Sequence, residues 1–175
     1  TCGQPTGYCP RDEHGCRKTG TPIAWRGGCI GFSANLAGTS QLSADEFNAA
    51  FDQAFQNWAL VDCGGGNHPS IQVFTLRPTT CAESAYQSDG PNVNAIYFTD
   101  NGWKDAKSTK ELDGVIAKTK AHFLKAGEIV DADIALNSAR HDFTISDTNV
   151  GYDLVSVLTH EVGHFLGLDH TDVSD

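Results

Sequence analysis

His160-Glu161-Val162-Gly163-His164-Phe165-Leu166-Gly167-Leu168-Asp169-His170 constrains this chain more tightly than any other stretch. It reads HExxHxxGxxH, and each fixed position has a mechanical reason. Residues four apart on a helix share one face, with Cβ atoms about 5–6 Å apart. His160 and His164 can therefore aim their imidazoles at one metal ion. Gly167 supplies the left-handed backbone that ends a helix. The chain can then turn back and bring His170 to the same ion from a loop. Three neutral imidazoles leave one tetrahedral position of Zn²⁺ open to water, the signature of a catalytic rather than a structural site. Glu161 adjoins the first ligand without being one, and it is placed to take a proton from that water. Structural zinc of the Cys₂His₂ type is disfavoured, because no CxxC pair occurs and no cysteine lies near the motif.

The rest of the chain is read around this motif. Ser43 starts a helix, with Glu46 three residues on as a capping box requires. Phe47, Ala50, Phe51, Ala54, Phe55 and Trp58 follow as an apolar stripe at helical spacing, which reads as core. Ile71–Leu76 and Asn94–Thr99 are strand-like, rich in β-branched and aromatic residues. The segments 113–123 and 128–137 flank Lys125-Ala126-Gly127 and predict a hairpin or sheet corner. Pro22–Trp25 and Cys29–Ala34 read as short extended pieces about a Gly-Gly turn, and Tyr152–Leu166 as the motif-bearing helix. The order strand, helix, several strands, helix predicts an α+β fold, a twisted mixed β-sheet flanked by two helices. The glycine run 64–66 is no phosphate loop, since no GxxxxGK[ST] follows.

Charge and cysteines bound the setting. A net charge of −10 disfavours nucleic acid and anionic membrane as partners, because both repel an acidic surface. No apolar run approaches the roughly 20 residues of a membrane span. The six cysteines, Cys2, Cys9, Cys16, Cys29, Cys63 and Cys81, are an even count that favours disulfides and an oxidising, extracellular compartment. Sequence alone does not choose among the possible connectivities; Cys63–Cys81 is one candidate, since both flank the strand-like Ile71–Leu76. Residues 1–21 read as a disulfide-tied, cysteine-rich extension, and 22–175 as one catalytic domain. Calcium is a candidate at the polar turn Asp100-Asn101-Gly102, from hard oxygen ligands. Asp153 and Asp169 are candidates for an outer hydrogen bond to a ligand imidazole, although exposure is the commoner lot of aspartate. His14, His68, His122 and His141 read as exposed or loop histidines.

The zinc motif resembles that of the metzincin clan of endopeptidases. Thr171 after the third histidine resembles the hydroxyl residue that matrixins carry there. Gly127-Glu128-Ile129-Val130-Asp131-Ala132-Asp133-Ile134 is similar to the matrixin strand before the active-site helix. Tyr152-Asp153-Leu154-Val155-Ser156-Val157-Leu158-Thr159 is similar to the start of that helix, and Ile23-Ala24-Trp25-Arg26 resembles the first sheet strand. The likeness is closest to secreted bacterial matrixins. It implies a zinc-dependent metalloendopeptidase, with His160, His164 and His170 as metal ligands and Glu161 as the base that activates water. It also implies a protein or peptide substrate that adds a strand to a sheet edge. Asp131–Asn137, or the bulged segment before it, is where that edge is expected, and the protein is expected to be a monomer. Metzincins place a methionine turn after the third histidine. This chain has no methionine and stops at Asp175, so a domain without that C-terminal portion is expected. The alternative implied is a domain that binds zinc without hydrolysing. Cys2-Gly3-Gln4-Pro5 resembles part of the matrixin latency segment, but its flanking arginine and aspartate are absent, and ordinary disulfide pairing is the favoured reading.

Overall fold

Ser43 caps the first helix as its sequence predicts. Its hydroxyl accepts from the Glu46 backbone N–H at 3.3 Å, while the Glu46 carboxylate accepts from the Ser43 backbone N–H at 2.8 Å. From this box α1 runs over Ala44–Ala59. The computed structural model describes residues 20–37, 39–100, 102–103 and 114–170. The 1–21 extension lies almost wholly outside the described residues, as do Cys2, Cys9, Cys16, His14, Asn101 and Thr171.

Five strands form the main sheet: β1 (Cys29–Asn35), β2 (Gln72–Thr75), β3 (Ala95–Phe98), β4 (Ala117–Phe123) and β5 (Ile129–Leu136). Their order is β2-β1-β3-β5-β4. The first four neighbours pair in parallel, and β4 closes the row antiparallel to β5, with Thr119 opposite Ile134. A small parallel pair, β6 (Phe143–Thr144) with β7 (Tyr152–Asp153), precedes α2 (Leu154–Phe165). The fold is α+β, a mixed sheet with two helices.

Alternation along the strands explains where the helices sit. Ile30, Phe32 and Ala34 of β1, Ile96 and Phe98 of β3, and Ala132, Ile134 and Leu136 of β5 share one core with the apolar stripes of α1 and α2. Both helices therefore cover the same face. Aromatic rings fill the layer, with Phe32 and Phe51 centroids 3.8 Å apart and Phe47 edge-on to Phe98 at 5.8 Å. The opposite face carries a smaller cluster of Ala95, Tyr97, Trp103 and Ala135. No helix among the described residues is long and apolar enough to cross a membrane.

Three sequence expectations need correction, and of the two places offered for the edge strand the bulged segment before Asp131–Asn137 is the one that lies there. Asp131–Asn137 does not: β5 lies between β3 and β4, and its residues are buried on both faces apart from partly covered Val130. The edge falls to β4, whose lysines Lys118 and Lys120 stand exposed, a common guard against stray strand pairing. The bulge lies in β4 as well, at His122/Phe123. Ile23-Ala24-Trp25-Arg26 is not a strand but a single bridge, Ala24 to Glu128, because Trp25 turns away to meet the end of α2. The expected Cys63–Cys81 bridge is not formed, and Cys29, Cys63 and Cys81 are free, exposed thiols. Cys63 is engaged in the turn after α1, its N–H on Asn67, whereas Cys81 is held beyond β2 by Asn35. Finally, α2 begins at Leu154 rather than Tyr152, since Tyr152 and Asp153 pair with β6.

Candidate metal centre

Asp153 starts α2 by accepting the Ser156 backbone N–H at 2.8 Å, an N-cap role that sets the helical phase. In that phase Leu158, Val162 and Phe165 are fully buried, while His160 is exposed and His164 partly so. Gly163, one residue before His164, faces α1. A Cβ there would stand 2.8 Å from the Trp58 ring, and Trp58 Nε1 donates to the Thr159 carbonyl at 2.7 Å. The small residue thus lets the two helices close on one another.

The helix ends where the metal motif needs it to. Leu168 N–H bonds the Gly163 carbonyl at 3.0 Å and Gly167 N–H that of His164 at 2.9 Å, the two bonds of a Schellman cap. Gly167 has φ +100, and a Cβ on it would meet the Ile23 carbonyl at 2.3 Å. Trp25 Nε1 donates to the Phe165 carbonyl at 2.8 Å, and the two rings lie 5.3 Å apart. The 22–25 segment therefore clamps the turn from which His170 departs.

His170 Nε2 lies 3.0 Å from His160 Nε2 and 3.1 Å from His164 Nε2, and the last two are 3.1 Å apart. Ligand nitrogens about 2.0–2.1 Å from a tetrahedral zinc stand roughly 3.3 Å apart, so the triangle is close to the required size. The tautomer fits too. His164 Nδ1 lies 2.9 Å from the Leu168 carbonyl, which can only accept, so Nδ1 carries the proton and Nε2 turns a lone pair inward. Converging lone pairs repel one another until a cation is placed among them. His160, His164 and His170 are the one such cluster among the described residues.

Glu161, next to His160 in the chain, is 5% exposed. Its Oε2 lies 2.5 Å from Thr119 Oγ1 on β4. Sequence reasoning missed Thr119, for which the only signal was a hydroxyl in the inward set of a strand. It also missed Leu168, whose backbone carbonyl takes the outer hydrogen bond of His164. Asp153 is a helix cap instead, and the Asp169 carboxylate accepts the backbone N–H of His170 at 2.9 Å.

The other described histidines lie elsewhere. His68 meets the Val61 carbonyl at 3.0 Å, His141 stands edge-on to Tyr152, and His122 stacks on Tyr86. His122 is a strand residue rather than a loop one. Burial, then neighbouring Lys120, lowers its pKa.

Residues 25–175 match the family model of the matrixins. The chain is a matrixin. Matrixins are zinc metalloendopeptidases, and the match takes in β1 to α2 together with the three converging histidines. No curated protein matches the sequence.

Proposed function

We propose that this matrixin is a secreted endopeptidase that hydrolyses peptide bonds, with zinc held by His160, His164 and His170 and with Glu161 as general base. The observation that carries the reading is the set of three Nε2 atoms within 3.0–3.1 Å of one another, two of them on the helix that also bears Glu161. Zinc held by these three imidazoles would supply Lewis acidity toward a water and a substrate carbonyl. Glu161 accepts the proton of the attacking water and returns it to the departing amine as the C–N bond breaks. No serine or cysteine nucleophile is required.

The substrate in this reading is an extended peptide laid along β4. Among the described residues β4 pairs only with β5, so no strand lies along its outer edge and strand addition can occur there. Secretion rests on the six cysteines and on the family, not on observed pairing, since Cys29, Cys63 and Cys81 are free. The acidic surface favours neither nucleic acid nor anionic membrane, and the monomer is the expected state.

Cleavage of casein or gelatin by the zinc-loaded chain tests the proposal. Activity should stop on chelation and return with zinc. Glu161→Ala should keep its zinc and lose turnover by about 10²–10⁴-fold. Near-normal turnover in that variant removes Glu161 from the mechanism. Stoichiometric zinc without any cleavage favours the non-hydrolysing reading.

A further inference from the structure

β4 turns two chemically different faces to its surroundings. Lys118 and Lys120 are exposed on one. On the other, Ala117 and Ala121 pack against the main core, and Thr119 stands between them, against α2. The flanking alanines let helix and strand approach closely. Valine has the same shape as threonine and suits such a position better, because a hydroxyl beneath a helix costs desolvation unless it is bonded. Here it is bonded. Thr119 Oγ1 lies 2.5 Å from Glu161 Oε2 and 3.1 Å from the Glu161 carbonyl. The hydroxyl has one proton to give, and the shorter contact has the length of a charge-assisted O–H···O⁻ bond. The proton therefore goes to the carboxylate.

We propose that Thr119 is the positioning residue for Glu161. Its hydroxyl engages Oε2, holds the side chain in one rotamer, and leaves Oε1 to face the water. Glutamate has three side-chain torsions, and a base that wanders among them is misplaced for most of the time. Misplacement of a reacting group by about 1 Å costs on the order of 10²-fold in rate. Because Thr119 belongs to the edge strand, the same residue ties the base to the strand along which the peptide is proposed to lie. The inference rests on the reading of Glu161 as general base.

The test compares the zinc-loaded full chain with Thr119→Val, Thr119→Ser and Glu161→Ala on one fluorogenic peptide, with zinc content measured in parallel. Thr119→Val should keep its zinc and a KM within about twofold, while kcat falls about 10–100-fold. Thr119→Ser should bring kcat back to within about threefold of wild type, because it restores the donor. Wild-type kcat in Thr119→Val, with Glu161→Ala inactive, overturns the positioning role and leaves the proposed function standing. Equal loss in Thr119→Ser and Thr119→Val also overturns it, since the methyl group rather than the hydroxyl would then matter. A zinc-loaded wild type that cleaves nothing overturns the general-base reading and the positioning role with it. The contact itself has a readout free of catalysis, a urea-denaturation cycle of metal-free Thr119→Val, Glu161→Gln and the double variant. Non-additive midpoints support the pair; additive ones refute it.

Discussion

His164 shows how much one side chain is asked to do. Its ring sits one helical turn from His160, its Nδ1 is tied to the Leu168 carbonyl at 2.9 Å, and its Nε2 completes the nitrogen triangle. The carbonyl fixes both the tautomer and the ring plane, which is how an outer partner raises the basicity of a metal ligand. Protons and zinc compete for the same lone pairs. Zinc occupancy is therefore expected to fall as pH is lowered. Metal analysis of samples dialysed at successively lower pH checks it, and full retention at a pH of about 4.5 contradicts it.

At the scale of elements, the C-terminus of α2 is the joint on which the site depends. The Schellman cap, the Trp25 hydrogen bond to Phe165 and the Ile23 carbonyl against Gly167 all act within one turn. Gly167→Ala would force a side chain into left-handed backbone, at a cost of about 1–2 kcal/mol, and would press its Cβ on the Ile23 carbonyl. Because His170 leaves from this turn, the same change should weaken zinc binding by at least about tenfold. Chemical denaturation and zinc titration of the variant measure the two effects. Wild-type values in both would show that the turn is not held as described. The opposite end of α2 was partly legible, since Asp153 lies in the sequence that resembles the helix start. That it caps the helix after pairing with β6 was not.

On the scale of the whole molecule, the two sheet faces carry different chemistry. The helix-covered face is apolar, whereas β5 turns Asp131 and Asp133 to the other, at 0% and 2% exposure. Among the described residues neither Asp131 oxygen has a hydrogen-bond partner, while Asp133 accepts the Ala95 backbone N–H at 2.9 Å. Burial, then the charge of Asp133, pushes Asp131 up to about 7, against the pull of Lys120. The folded protein thus keeps a proton that the unfolded chain releases near the ordinary value of 3.8. The stability contributed is full below that value and lost as pH rises through about 7. Asp131→Asn should match wild type in Tm near pH 4 and exceed it by about 2–4 °C at pH 8. A gap that shrinks as pH rises would contradict this sign. Thermal melts of both proteins over the range provide the measurement.

What could be read without coordinates was what the chain settles over short distances. The HExxHxxGxxH spacing, the Ser43–Glu46 cap and the 117–136 hairpin depend on residues near one another in sequence, where helical and strand periods dictate geometry. They therefore emerged as expected. Strand order, the edge assigned to β4, the Thr119–Glu161 contact and the Trp25 bond to Phe165 join residues as far as 140 positions apart. Local periodicity says nothing about such pairs. They are decided when burial of the apolar faces selects one arrangement of sheet and helices, and the hydroxyl, indole and carboxyl groups that this brings together must then satisfy one another.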